Sequence, residues 1–495
     1  MCRIGAMAVV LLLGGLSLAT AATLAEKVRE FNFANGLTLL VVERHDVPTI
    51  SAYMTIGIGS VDETSAERGV AHLLEHMLFK GTKTLGTTDY AREKPLLEKI
   101  EAIGEQLDRL RRDPRSDPQK VAALADQLSQ LQREHKQYVV KDEFSRIYAE
   151  NGGVGYNAFT STDLTTYMIS LPSNKIELWA AIESDRMKQP VLREFYTERD
   201  VILEERRRSY ESNPERLLYS TLVNSAYAMH PYGQPIIGWE SDVRGLTPEK
   251  TRNFLRHYYA PINTVIALVG DIEAEYARAL VDDYFGTILS GTAIPPVAAL
   301  EPQQRGEKRV NVRFDAEPQV KIAFHKETLP AVEDYVFDLI DAILSQGRLS
   351  RLYQALVLEQ QLVTSVATYG APGSRYPNLF VISAAPRYPH TAAEVETAIY
   401  RELQRLKEEL VPAAELERVK RRLEVDQLRH LQSNSGLARL LTSYQTIGGD
   451  WRYLVDYDQR LAEITAEQIR DVARQRLTVE NRTVATLVKD AGEKE

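Results

Sequence analysis

Two histidines and a glutamate within a short apolar stretch carry the most specific chemistry in this sequence. His72 and His76 are four residues apart, in a run from 69 to 79 that is compatible with a helix. Residues at that spacing project from one helix face, as two ligands of a shared zinc ion must. Glu75 adjoins His76 and could act as the general base for a water at the metal. The spacing predicts a catalytic zinc site, and the alternative is a helix with two structural histidines.

A catalytic zinc ion needs a third protein ligand, which a second charged segment offers. The only cysteine is Cys2, so a carboxylate or histidine on another helix is required. Glu198 and Glu205 are seven residues apart, which is two helical turns, and therefore share a helix face. Glu204 is a rival ligand, rotated by about 100° from Glu205. Taken alone, this segment would be interpreted as a solvated charged helix, and only the two histidines favour a ligand.

The first 21 residues have the composition of a secretory signal peptide. Arg3 precedes an apolar run, and Ala19-Thr20-Ala21 forms a small-residue cleavage site. Cleavage after Ala21 predicts an exported protein, in the bacterial periplasm. The alternative is an uncleaved membrane anchor. Cleavage also removes Cys2, so the mature chain would contain no thiol and cannot be a disulfide scaffold.

Length and composition limit the class of protein. At about 100–200 residues per domain, 495 residues indicate two to four domains. A content of 44% hydrophobic and 26% charged residues is typical of a soluble globular protein. The net charge of −9, with no basic stripe, argues against nucleic-acid binding. No stretch after residue 21 approaches the length of a membrane span.

An internal repeat predicts two similar halves. Residues 31–42 are typical of a hairpin, 51–58 of a third strand, and helical patterns dominate 65–80 and 174–212. A helix-then-strand pattern over 246–269 recurs after a shift of 218 residues. We predict an α+β fold with two homologous domains, each a mixed or antiparallel sheet flanked by helices. Their limits are 22–286 and 308–495, joined by a linker at 287–307 that is rich in Pro, Ala and Gly.

One segment interrupts the first half. Apolar residues recur at spacings of three and four on both sides of a proline-containing turn at 113–118. This pattern predicts a helical hairpin insertion at about 91–145. The insertion either packs only on itself or serves as a docking arm, and the sequence favours neither.

Two segments together resemble the pitrilysin/insulinase family of zinc metallopeptidases. They are GVAHLLEHMLFKGT, at 69–82, and the E-x6-E element at 198–205, and the H-x-x-E-H order is that of the inverzincins. The size resembles the half-size, processing-peptidase-like branch. The resemblance implies one zinc ion per chain held by His72, His76 and Glu205. It implies Glu75 as the general base and Glu198 as a carboxylate that orients a ligand histidine.

The same resemblance suggests a substrate site. Asn157, Ala158 and Thr160 lie in a segment similar to the family's edge strand, to which an extended, unfolded peptide adds through main-chain hydrogen bonds. The alternative is an ordinary sheet edge. The segment His230-Pro231-Tyr232-Gly233 also resembles a family segment, but no chemical role follows from it.

Two features depart from the family pattern. The separation of His76 and Glu205, 205 − 76 = 129 residues, is longer than usual, and the hairpin accounts for the excess. The family's active centre is completed by an Arg and a Tyr from the second half, but here Val357 and Thr364 occupy those positions. We therefore expect a heterodimer with a paralogous subunit that supplies the missing pair.

The sequence thus predicts a zinc-dependent endopeptidase that hydrolyses unfolded peptides or protein segments outside the cytoplasm. The alternative is a non-catalytic peptide-binding clamp or core subunit of the same fold. A structural zinc protein fits poorly, because structural sites usually have four side-chain ligands.

Overall fold

The computed structural model describes residues 24–489. The predicted signal peptide, residues 1–21, lies outside this range. Within residues 24–489, no helix has both the length and the apolar character needed to cross a membrane.

The described residues form eleven strands and seventeen α-helices. The strands are β1 Val28–Asn32, β2 Thr38–Glu43, β3 Thr49–Ile56, β4 Val154–Thr160, β5 Thr165–Pro172, β6 Thr264–Gly270, β7 Lys308–Phe314, β8 Gln319–Lys326, β9 Val363–Ala371, β10 Asn378–Pro386 and β11 Arg482–Lys489. The helices are α1 Leu24–Lys27, α2 Val70–Met77, α3 Tyr90–Arg112, α4 Pro118–His135, α5 Glu143–Glu150, α6 Ile176–Lys188, α7 Phe195–Arg206, α8 Pro214–Ala226, α9 Glu240–Gly245, α10 Pro248–Tyr258, α11 Ala274–Phe285, α12 Val332–Ser345, α13 Ala392–Glu408, α14 Ala413–Gln432, α15 Asn434–Gly448, α16 Arg452–Glu463 and α17 Ala466–Arg476. Two segments are π-helical, Arg207–Glu211 and Tyr353–Glu359.

The first half contains a six-stranded sheet with the order β1-β2-β6-β3-β5-β4. The predicted hairpin is confirmed as the antiparallel pair β1 and β2, and the predicted third strand is β3. β6 is central, parallel to β2 and antiparallel to β3. Every residue in it is buried, because its alternate side chains enter two hydrophobic cores on opposite faces of the sheet. β4 lies at the edge of the sheet, which is the position predicted for it.

The second half repeats this plan in a five-stranded sheet with the order β7-β11-β8-β10-β9. β11 lies parallel to β7 and antiparallel to β8, as β6 does to β2 and β3. Thr247 and Thr465 cap the helices that precede β6 and β11, and each side chain accepts a backbone N–H. Asn263 and Asn481 each donate to the carbonyl five residues earlier. The predicted fold class and the internal repeat are confirmed.

Each half covers the other's sheet with one helix. α15 packs against β3 and β6 of the first sheet, where Leu437 and Leu441 join the core around Tyr53 and Val265. α8 packs against β7, β8 and β11 of the second sheet. Because of this exchange, the two smaller hydrophobic cores contain residues from both halves, while each half keeps a larger core of its own. Residues 287–307 between them form no helix or strand, and we retain 22–286 and 308–495 as proposed domain limits.

The predicted helical hairpin is formed by α3 and α4, and it packs on α7 as well as on itself. The Tyr196 hydroxyl on α7 donates to the Glu101 carbonyl on α3, at 3.2 Å. The buried Arg199 guanidinium on α7 donates to both carboxylate oxygens of Asp108, at 2.6 and 2.9 Å. The hairpin therefore braces the helix that carries Glu198 and Glu205.

Replacing Asp108 with Ala should destabilise the protein strongly. The change leaves Arg199 buried with an unpaired charge, which typically costs about 3–5 kcal/mol in free energy of unfolding. Urea denaturation measures the loss. Glu98→Ala is the control, because Glu98 forms an exposed pair with Lys94 on the same helix, and we expect no measurable change there. Equal stability of the two variants would contradict the brace.

Candidate metal centre

Residues 70–77 form the short helix α2, which has one apolar and one polar face. Residues 70, 71, 73, 74 and 77 are buried, and His72, Glu75 and His76 face the other way. Gly69 precedes the first helical residue, and its φ of +87° suits glycine. The buried Glu63 carboxylate accepts the N–H groups of residues 69 and 71 at 2.8 Å each, which fixes the first turn of α2.

Three potential ligand atoms converge between α2 and α7. His72 Nε2 lies 3.8 Å from Glu205 Oε2, and His76 Nε2 lies 3.6 Å from the same oxygen. Ligand atoms at about 2.0–2.2 Å from a tetrahedral zinc ion lie about 3.3–3.5 Å apart, so the group needs little contraction to hold zinc. Two imidazoles and one carboxylate also form a donor set typical of catalytic zinc, with the fourth position left for water or substrate. The predicted residues fit the metal.

The structure separates the two rival glutamates. Glu205 points towards the histidines, and its side chain is 40% exposed. The Glu204 carboxylate instead binds Arg207 and Arg208, at 2.7–2.9 Å. Among the described residues, the group placed to hold a metal contains Glu205 and not Glu204.

Glu198 lies beside the His76 ring, on the side opposite the metal position. Its Oε2 is 3.4 Å from His76 Nδ1, and its Oε1 is 2.6 Å from Lys80 Nζ. Burial by itself would raise the pKa of Glu198, but the contacts with His76 and Lys80 outweigh it and lower that pKa. A charged carboxylate here orients the His76 ring so that Nε2 faces the metal position.

The two histidines differ in their surroundings. Burial, and secondarily the charge of His76, lower the pKa of His72 to about 3. His72 is therefore neutral at physiological pH, which is the form that binds a metal. Burial opposes protonation of His76 as well, but the contact with Glu198 and the charge of Glu205 leave its pKa raised. Protons therefore compete with a metal for His76 more strongly than they do for His72.

Glu75 has its own hydrogen-bond partner on the edge strand. The Thr160 hydroxyl, at the end of β4, donates to Glu75 Oε2 at 2.6 Å. Burial raises the pKa of Glu75, and the hydrogen bond from Thr160 only partly opposes this. The same strand exposes Asn157, whereas Ala158 is buried. The structure thus brings β4 directly beside the candidate base.

The second half shows no counterpart of this cluster among the described residues. Val357 lies in the π-helical segment Tyr353–Glu359. Its side chain is partly buried against the hydrophobic core of the second half. Thr364 is exposed on β9, and its hydroxyl donates to the Ala385 carbonyl.

Comparison with known proteins identifies the family. Residues 39–108 and 117–240 match the family model described as Insulinase (Peptidase family M16), and residues 245–423 match the model described as Peptidase M16 inactive domain. The chain belongs to peptidase family M16. The gap between the first two matched segments falls at the turn between α3 and α4, within the hairpin of this M16 chain.

Similar proteins include both half-size and longer chains. Zinc protease PqqE of Helicobacter pylori is 25% identical over 449 residues, which cover 89% of this chain and 88% of the relative. The crystal structure of a protease from Helicobacter pylori superposes with a TM-score of 0.78 at 24% identity and covers 93% of this chain and 99% of that one. The periplasmic protease PqqL from Escherichia coli gives a TM-score of 0.69 at 18% identity, over 94% of this M16 chain and 48% of PqqL.

Sequence reasoning missed two residues of the centre, Glu63 and Lys80. Glu63 caps α2 across a loop, and no spacing rule links it to that helix. Lys80 lies beyond the end of α2 and pairs with Glu198 on α7, so no spacing within one helix indicates it. Thr160 stays a predicted substrate-binding residue, and the contact of its hydroxyl with Glu75 is a further feature that the sequence did not indicate.

Replacing Glu198 with Gln should weaken zinc binding by about 10–100-fold, because the His76 ring loses the charged group that orients it. Competition with a chromophoric chelator measures the affinity. Glu194→Gln is a matched control, since Glu194 also pairs with Lys80 but forms no contact with His76 among the described residues. Similar losses of zinc affinity in both variants would show that the contact with Lys80, and not the orientation of His76, affects zinc binding.

Proposed function

We propose that this M16 chain is a zinc-dependent endopeptidase that hydrolyses unfolded peptides or protein segments. The observation that carries the proposal is the convergence of His72, His76 and Glu205 beside the half-buried Glu75. The relatives named zinc proteases support the metal and the class of reaction. We infer one zinc ion per chain, held by those three side chains.

The roles of the side chains follow from their positions. Zinc held here would polarise a water molecule and the scissile carbonyl. Glu75 accepts a proton from the attacking water and later passes it to the leaving amine nitrogen. Its raised pKa suits both steps, because a base that must also release its proton works best near the operating pH. Thr160 holds one carboxylate oxygen and so fixes the orientation of Glu75.

The edge strand explains how substrate would be held. β4 has β5 on one side only, so its other edge can accept an extended peptide. Main-chain hydrogen bonds to residues such as Asn157, Ala158 and Thr160 would place the peptide beside Glu75. Pairing of this kind selects unfolded segments, since a folded domain presents no free extended strand of sufficient length.

The proposed active centre also requires a partner subunit. Neither Val357 nor Thr364 can hold a developing oxyanion as an Arg and a Tyr can. We infer that a paralogous M16 subunit supplies these two side chains. The zinc-loaded single chain should then cleave peptides slowly, and addition of such a subunit should raise turnover. Robust turnover by the single chain alone would contradict the heterodimer.

The proposed location is the bacterial periplasm, after cleavage behind Ala21. The likeness in fold to the periplasmic protease PqqL agrees with this location. Separation of periplasm from cytoplasm, followed by mass determination of the N-terminus, tests it.

Cleavage of a quenched, unstructured peptide by the zinc-loaded chain, alone and with a paralogous subunit, tests the proposed activity. The same peptide sequence within a stable folded domain is the matched substrate, and we expect it to resist. The rival function is a non-catalytic clamp. The observation that favours it is the match of the second half to the M16 inactive-domain model. A clamp would bind the unstructured peptide without any cleavage under either condition.

A further inference from the structure

A buried polar cluster joins the two halves at the segment for which the sequence suggested no role. Tyr232, in the turn after α8, is 0% exposed, and Asp163, between β4 and β5, is 2% exposed. The Tyr232 hydroxyl donates to Asp163 Oδ1 at 2.6 Å. A carboxylate buried to this degree requires several hydrogen-bond donors, and the others come from the second half.

The turn between β9 and β10 supplies those donors. The N–H of Ser374 lies 2.5 Å from Asp163 Oδ2, and that of Arg375 lies 3.2 Å from it. The Tyr232 oxygen in turn accepts the N–H groups of residues 375 and 376, at 3.0 and 3.1 Å. A Cβ at Gly373 would stand 2.5 Å from the Tyr232 oxygen and 2.6 Å from Asp163 Oδ2. Only glycine allows the turn to approach so closely.

The Arg375 side chain extends the cluster further into the first half. Its guanidinium donates to the carbonyls of Gly57, at 2.8 Å, and Asp163. It also pairs with the buried Asp62 carboxylate at 3.1 Å. The turn 372–376 therefore contacts the first half through both its backbone N–H groups and the Arg375 side chain. A rigid movement of one half relative to the other would break all of these hydrogen bonds together.

The cluster is connected to the candidate base through a few residues of chain. Asp163 lies three residues after Thr160, whose hydroxyl donates to Glu75. Between them, the Thr162 hydroxyl donates to the Pro372 carbonyl of the second half, at 3.2 Å. The end of β4 is thus attached at one point to Glu75 and at two points to the second half.

We propose that Asp163, Tyr232 and Arg375 form an interdomain latch that positions Thr160, and through it the Glu75 carboxylate. They are positioning residues, since among the described residues none of them contacts a candidate zinc ligand. The role in turnover rests on the proposed function, whereas the hold on the end of β4 can be measured without it.

Tyr232→Phe tests the latch by removing one hydroxyl. We expect kcat to fall about tenfold, as is typical when a group supporting an active-site residue is removed, with zinc content unchanged. In the metal-free chain, amide hydrogen exchange over residues 157–164 should become faster. Tyr335→Phe is the matched control, because the Tyr335 hydroxyl is buried and has no hydrogen-bond partner within residues 24–489. Both readouts should stay at the wild-type value there.

A double-mutant comparison separates positioning from a merely structural role. If the latch acts through Thr160, Tyr232→Phe should cause no further loss of kcat in a Thr160→Val background. An equal loss in both backgrounds would overturn the proposal, as would unchanged exchange at 157–164. If Tyr232→Phe fails to fold, Arg375→Lys is the second test. Lysine keeps the positive charge of Arg375 but cannot donate the several hydrogen bonds of the guanidinium group. If the wild-type chain cleaves no peptide either alone or with a paralogous subunit, the proposed function fails separately, and the exchange data still decide whether the latch holds β4.

Discussion

Glu75→Gln should reduce kcat/KM for an unstructured peptide by about 10²–10⁴-fold, which is the contribution typical of general acid–base catalysis. The amide is nearly isosteric and can still accept the hydrogen bond from Thr160. It cannot accept a proton from water at neutral pH. Because Glu75 is not in the group of potential ligands, zinc content should remain at the wild-type value.

Two further variants make this result specific. Glu67→Gln changes a half-buried carboxylate just before α2 that forms a hydrogen bond only with Thr64 among the described side chains, and activity should be unaffected. Glu75→Asp keeps the acid but withdraws it by one methylene, so activity should lie between those of wild type and Glu75→Gln. Wild-type turnover by Glu75→Gln would remove Glu75 from the mechanism. Loss of zinc in that variant would instead show that Glu75 supports the metal.

Glu205→Gln should abolish stoichiometric zinc binding, with activity lost as a consequence. The neutral amide is a poor zinc ligand, and two histidines alone leave the set incomplete. The loss of affinity should exceed the about 10–100-fold effect that is typical of residues behind the ligands. Metal analysis after dialysis against a weak chelator measures zinc per chain.

Glu204→Gln is the control that the chain itself provides, since it changes the adjacent carboxylate. That carboxylate binds Arg207 and Arg208 on the surface, so zinc content and activity should match the wild type. If Glu204→Gln lost zinc and Glu205→Gln kept it, the assignment of the third ligand would be reversed.

Local spacing determined much of this protein. His72 and His76 meet because four residues make about one helical turn, and Glu198 and Glu205 share a face because seven make two. The hairpin followed from hydrophobic periodicity, which depends on neighbours in sequence. The repeat, and with it the α+β class, followed from comparison of the sequence with itself. Such arguments need no knowledge of distant contacts, and for these features the structure agrees.

The tertiary structure determined which residues of distant segments contact one another. Spacing could not choose between Glu204 and Glu205, because that choice depends on how α7 is rotated against α2, 129 residues earlier in the chain. It could not reveal Thr160 on Glu75, or the hairpin bracing α7 through Asp108. The exchange of α8 and α15 between the sheets was equally hidden. These contacts form only when packing brings separate elements together, and the spacing of residues within one element does not reveal how that element packs on another.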